Sequence, residues 1–151
     1  MKLAHNIEVR VFARDDEDIG PEKIKDAFAQ IMPFDISSEK TPDIKMQKTF
    51  GFNELPIIVY TIRLEKDRHC NDFLEKLNKE LSEKDKKILL KQKDSRTDND
   101  LNFYLRLSRN KLFEYIYELT ESGECFHIKI SLAVFPKNRE NAYNIINNIF
   151  K

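Results

Sequence analysis

Few side chains in this 151-residue sequence could do covalent or metal chemistry, and they are scattered. His69 and Cys70 are adjacent, the residue types from which a base-activated thiol is made. Neighbours on a helix point about 100° apart, however, so the two do not converge on the helix expected here. They read as a solvated histidine at a helix start and a small apolar core residue. Cys125 is the other of two cysteines, too few for a disulfide framework and without metal-ligand spacing, so both are expected as reduced thiols. His5 and His127 begin two expected strands that pairing could bring together, but two histidines without a third ligand do not make a zinc site. The run Asp15-Asp16-Glu17-Asp18 lacks the glycine and distal Glu of a calcium loop. Lying just before Gly20-Pro21, it is assigned to the positive end of a helix dipole. Three isolated glycines, Gly20, Gly51 and Gly123, cannot build a phosphate cradle or a dinucleotide turn. The expectation is a protein that is not an enzyme and holds no cofactor and no metal.

Binding chemistry is better represented. Three segments alternate with period two and leave an outward set: Glu8, Arg10, Phe12 and Arg14; Asn102, Tyr104, Arg106 and Ser108; and His127, Lys129 and Ser131. Arg or Lys recurs in all three and an aromatic ring in two. A flat face of cations and rings suits single-stranded nucleic acid, whose bases stack on rings or guanidinium planes while the cations follow the phosphates. Arg10, Phe12, Arg14, Tyr104, Arg106 and Lys129 are therefore the candidate RNA-binding residues. A second positive region runs from Lys84 to Arg96, with six Lys or Arg against Asp85 and Asp94, a local excess of four. Arg on a solvent-facing strand also serves cross-strand pairing and edge protection. Arg and aromatic residues are enriched in interface cores as well, so the alternative is a protein-interaction or homodimer face.

The elements that must carry these residues follow from periodicity. Residues 6–14 form a strand, with Ile7, Val9, Val11 and Ala13 facing the core. Ile24, Ala27, Phe28 and Ile31 mark a helix that Pro33 stops. A short strand over 43–50 precedes a strand over 55–65 that looks buried on both faces near its start. Cys70, Phe73, Leu74, Leu77 and Leu81 mark a second helix, and Ile88 to Leu90 a third or its bent continuation. A polar loop over 91–100 leads to a strand with Leu101, Phe103, Leu105 and Leu107 inward. Leu112, Phe113, Ile116 and Leu119 suit a short helix, although Tyr115 to Tyr117 also suit a strand. A strand through Phe126, Ile128, Ile130, Leu132 and Val134 ends at Pro136, and Ala142, Ile145, Ile146 and Ile149 form a last helix. The order β-α-β-β-α-(α)-β-α-β-α predicts an α+β two-layer sandwich, a mostly antiparallel sheet with helices on one face.

The whole-chain quantities bound the answer. At 18.0 kDa with 40% hydrophobic residues, the chain suits one folded domain over residues 1–151. Twenty-six Lys and Arg balance twenty-six Asp and Glu, which excludes nucleic-acid coating by bulk attraction but not a local patch. No segment has the length of a signal peptide's apolar region or a membrane span, so the expected compartment is the cytoplasm, with no membrane partner.

Four segments carry a resemblance. They are Val9-Arg10-Val11-Phe12-Ala13 with the acidic run and helix after it; Gly51-Phe52-Asn53-Glu54-Leu55-Pro56-Ile57; Phe103-Tyr104-Leu105-Arg106-Leu107-Ser108-Arg109; and Ala133-Val134-Phe135-Pro136-Lys137 ahead of Arg139, Glu140 and Ala142. Together they resemble an archaeal family of small RNA-binding, exosome-associated proteins, across nearly the whole chain. The departure is the turn, where Glu54-Leu55 separates Asn53 from Pro56. The resemblance implies a fold similar to that of the fifth large-subunit ribosomal protein. It also implies a non-catalytic role beside RNA-processing or degrading complexes in archaeal cytoplasm.

Overall fold

In the computed structural model of the chain, which describes residues 1–38, 40–51 and 55–151, the N-terminal alternation forms β1 (Ala4–Arg14). Ile7, Val9, Val11 and Ala13 are buried, while Glu8, Arg10, Phe12 and Arg14 keep contact with solvent. β1 takes the centre of the sheet, pairing antiparallel with β3 (Pro56–Leu64) and with β5 (Cys125–Leu132). Beyond β3 lies β2 (Lys45–Phe50), and beyond β5 lies β4 (Asn102–Ser108), both antiparallel to their neighbours. The spatial order is β2-β3-β1-β5-β4.

Among the described residues, four helices lie between strands and a fifth follows β5. In α1 (Pro21–Ile31), Pro21 supplies the preset φ of a first turn, and Ile24, Ala27, Phe28 and Ile31 are buried. α2 (Asp67–Glu80) buries Cys70, Phe73, Leu74 and Leu77 against the sheet. In α3 (Glu83–Lys91), α4 (Arg109–Phe113) and α5 (Arg139–Ile149) the caps are Ser82, Ser108 and Asn138. Their side chains accept from the backbone N–H of Asp85, Lys111 and Asn141 and satisfy otherwise orphaned donors. The helix stripes and the inward strand residues form one hydrophobic cluster, in which Phe28 meets Phe126 edge-on at 5.4 Å between ring centroids. The expected α+β arrangement is the one observed.

Four local expectations change. The helix expected through Leu119 stops at Phe113, because Tyr115 enters the left-handed region at φ 62°. Its N–H bonds the carbonyl of Leu112 and that of Ile116 bonds Lys111, the pattern that closes a helix around a left-handed residue. Glycine is the usual occupant of that position, so a tyrosine there gave no stop signal. β3 is not buried on both faces at its start: Ile57, Ile58 and Val59 are half-buried, because neighbouring β2 leaves nearly all its side chains in solvent. β5 ends at Leu132, before Pro136. The acidic run also lies outside α1, whose only first-turn carboxylate is Glu22. Residues 52–54 of the Gly51–Pro56 turn motif lie outside the described residues.

The two sheet edges are protected differently. Along β4, the returning chain pairs Thr97 with Phe103 and Leu119 with Leu107. On β2 the deterrents to further pairing are Lys45 and Lys48.

Candidate nucleic-acid interface

The helices occupy one side of the sheet, and the outward sets share the other. Register aligns them in rows across the strands. One row reads Lys45, Thr61, Arg10, His127 and Arg106 from β2 to β4. The next reads Arg63, Glu8, Lys129 and Tyr104. Strands in a sheet lie about 4.8 Å apart, so Arg10 and Arg106 stand roughly 10 Å apart on either side of His127. All six candidate residues belong to this face. The residues missed by sequence reading are Val59, Thr61 and Arg63 of β3 and Lys45 of β2. The alternation Ile57, Val59, Thr61, Arg63 was available as a signal, but the run of β-formers around it obscured the period.

Local partners divide the cations. Arg14 is surrounded by carboxylates, at 3.2 Å from Asp16, 3.3 Å from Glu17 and 3.9 Å from Glu124. Glu8 takes Arg10 at 2.9 Å and Arg63 at 3.6 Å. Among the described residues, Arg106 and Lys129 have no carboxylate partner within ion-pair distance; Arg106 instead donates to the Glu121 carbonyl at 3.1 Å. The Tyr104 hydroxyl donates to Asp98 at 2.8 Å, and burial together with that carboxylate pushes its pKa up to about 12. Its ring lies 5.6 Å from that of His127. Burial, then the charges of Arg106 and Arg10, lowers the pKa of His127 and keeps the imidazole neutral at pH 7.

Two hollows flank the Arg106–His127 pair. One, of about 610 Å³, is polar and lies between β4 and the chain at Gln92, Ser95 and Arg96. The other, of about 250 Å³, is lined by Phe12, Ile57, Val59 and Cys125 together with Arg10, Arg106 and His127 of the neighbouring row.

One buried ion pair braces this face from its end. Arg109, with 3% of its side chain exposed, meets Glu17 at 2.8 Å and donates to the Phe12 carbonyl at 2.9 Å. Burial alone would raise the Glu17 pKa, but hydrogen bonds from Arg109 and from the Arg14 backbone outweigh it and lower the value. The acidic run, assigned from sequence to a helix dipole, thus contributes its innermost carboxylate to a contact with β1 and α4.

The second cationic region does not act as one patch. Lys86 is buried, donating to the Lys151 carbonyl at 3.0 Å and pairing with Glu83, while Lys93 donates to Asn147 at 2.8 Å. Lys84, Lys87 and Lys91 line a separate hollow on α3 with Ile88 and Leu90. Arg96 alone reaches the sheet face, where it donates to the Tyr104 carbonyl at 3.3 Å.

The residues considered for catalysis remain apart. Antiparallel pairing sets His127 opposite Arg10, five residues along β1 from His5, so the two histidines do not meet. His69 is not solvated as expected but half-buried, 4.6 Å from the Phe34 ring. Cys70 is fully buried, and burial, then Asp67, pushes its thiol up to about 11; burial likewise raises Cys125. Among the described residues, no three His, Cys, Asp or Glu side chains gather to hold a metal. No helix of the described residues is long and apolar enough to cross a membrane.

Comparison with known proteins bears on the family and the fold. A family model described as RNA binding matches residues 6–132, from the third residue of β1 to the end of β5. The chain is 31% identical over 137 residues to a protein of Pyrococcus abyssi named RNA-binding protein PAB1135, covering 91% of this chain and 87% of that one. A solved DUF54 protein from Methanothermobacter thermautotrophicus is 28% identical with a TM-score of 0.76, covering 99% of both chains. A second DUF54 structure, from Archaeglobus fulgidus, shares the fold at a TM-score of 0.83 and 22% identity, over 97% of this chain and 99% of that one. The matched span and the identity across nearly the whole chain lead to one conclusion: this protein belongs to the family described as RNA binding.

Proposed function

We propose that residues 1–151 act as one non-catalytic domain that binds single-stranded RNA across the helix-free face of its sheet. The observation that carries this reading is the row Arg10–His127–Arg106 across three neighbouring strands, with Lys129 and Tyr104 in the row beside it. Convergence of cations and rings on one flat surface supplies phosphate attraction and stacking together. Arg106 and Lys129, without a carboxylate partner among the described residues, are the main phosphate contacts, and Phe12 and Tyr104 the stacking surfaces. Arg10 shares its charge with Glu8, and Arg14 is largely neutralised. Membership of an RNA-binding family supports the ligand class. A role assisting RNA processing or degradation in archaeal cytoplasm, beside an exosome-type complex, is the biological setting we infer.

Fluorescence anisotropy with a short single-stranded RNA tests the reading. Binding is expected at low salt and should weaken steeply as salt rises, because counterions are released from each neutralised phosphate. The double variant Arg10→Ala, Arg106→Ala should lose most of it. Absence of affinity at low salt would refute the proposal. A stable dimer in light scattering that Phe12→Asp converts to monomer would instead assign the face to a second copy of the chain.

A further inference from the structure

Resting on that RNA-binding reading, we propose that the apolar hollow between β3, β1 and β5 is a subsite for one unpaired nucleobase of the bound strand. Solvent-facing sheet surfaces are ordinarily polar, and an apolar cluster on one marks a contact. Here Phe12 of β1 and Val59 of β3 are register partners, and Ile57 stands one row away beside Arg14. All three face away from the core and are half-buried. Cys125 of β5 closes the other wall.

Size and chemistry then select the occupant. At about 250 Å³ the hollow falls below the roughly 300–1,000 Å³ of sites that enclose a whole drug-sized ligand, so it takes one ring system. Apolar walls reject a phosphate or a ribose, whose polar groups would lose their water. A nucleobase offers two apolar faces, one of which can lie on the Phe12 ring. A cationic row runs along one side, with Arg10 and Arg106 on either side of His127. Apolar walls beside a cationic row match a nucleotide, apolar at its base and anionic at its phosphate. Neutral His127 presents one ring nitrogen as donor and the other as acceptor, the pair needed to meet a base edge. A base held in a duplex is stacked and paired and cannot enter, so the subsite selects single strands, bulges and ends.

The test uses the full chain, an eight-nucleotide adenosine RNA, and a ribose-phosphate strand of equal length without bases. Val59→Phe fills the hollow from a solvent-facing position. We expect it to weaken the adenosine strand at least about ten-fold, within the lower half of the range for one stacked base, and to leave the abasic strand within about two-fold. If Val59→Phe leaves adenosine-strand affinity unchanged while Arg106→Ala reduces it, the subsite is refuted and the RNA-binding reading stands. If neither strand binds at low salt, both fall. Should Val59→Phe melt well below the parent protein, Ile57→Trp adds a comparable volume to the same space and is held to the same outcomes.

Discussion

Arg14 and Arg106 are both outward-facing arginines on strands of one sheet, yet their neighbours give them opposite characters. Three carboxylates surround Arg14, and none lies within ion-pair distance of Arg106 among the described residues. Replacing Arg106 with Ala should therefore reduce single-stranded RNA affinity several-fold. It should also lower the salt slope by about 0.7, the value for one phosphate contact on a single strand. Arg14→Ala should leave both quantities nearly unchanged, and an anisotropy titration at three salt concentrations separates the two cases. Equal losses for the two variants would contradict this division. The alternation along β1 and β4 made both residues legible as outward-facing. The neutralisation of Arg14 was only partly legible: Asp16 and Glu17 follow it in sequence, but Glu124 comes from a remote loop and its distance depends on the folded chain.

The same dependence on tertiary contacts holds for whole elements. α4 and the segment after β1 are joined by Arg109 and Glu17, both well buried. Removing one partner of a buried pair strands the other charge, a loss of roughly 3–5 kcal/mol. We expect Arg109→Ala to sit near 3 kcal/mol, since Glu17 at the edge of the fold can turn toward water. A lowered urea midpoint measures it. Adding Glu17→Leu should recover most of the loss, and a double variant no more stable than Arg109→Ala would contradict the account. RNA affinity should fall with Arg109→Ala as well, because its bond to the Phe12 carbonyl holds the end of β1 beside the apolar hollow. The helix stripes of α1, α2 and α5 were readable because their spacing is local. The end of α4 was not, since the left-handed residue that closes it is Tyr115 and not the usual glycine.

At the scale of the molecule, the shifted groups predict how stability follows pH. His69 and His127 have folded pKa values below the ordinary 6.5, through burial first and then neighbouring cations. The unfolded chain therefore binds their protons first, and stability declines as pH falls from about 6.5 toward the folded values. Glu17 and Asp98 are both opposed by burial but held lower by hydrogen bonds, from Arg109 and the Arg14 backbone in one case and from Asn102 and Tyr104 in the other. Their contribution is complete above the ordinary 4.5 and 3.8 and is lost as pH falls through the lowered folded values. A urea midpoint followed from pH 8 to pH 3 should be level down to about 7, slope gently below 6.5 and steepen below about 4.5. His127→Gln should reduce the first decline to the share of His69; a level profile from 7 to 5 in the parent protein would contradict it. The balance of 26 positive and 26 negative residues predicts none of this, because it records how many charges there are and not where they stand.

The sequence by itself determined the order of elements, the inward and outward sides of β1, β4 and β5, and the apolar stripes of the helices. Each is a period of two or about 3.6 residues, set by backbone geometry within a few positions. It also carried the resemblance to the family to which the chain belongs. Only the tertiary structure decided that β1 lies between β3 and β5, and so that Arg10, His127 and Arg106 share one row. It likewise separated most of the Lys84–Arg96 region from the sheet face, bringing only Arg96 to it. Strand order and register depend on contacts between distant segments. The field at a binding face falls off with distance in space, and distance along the chain does not determine it.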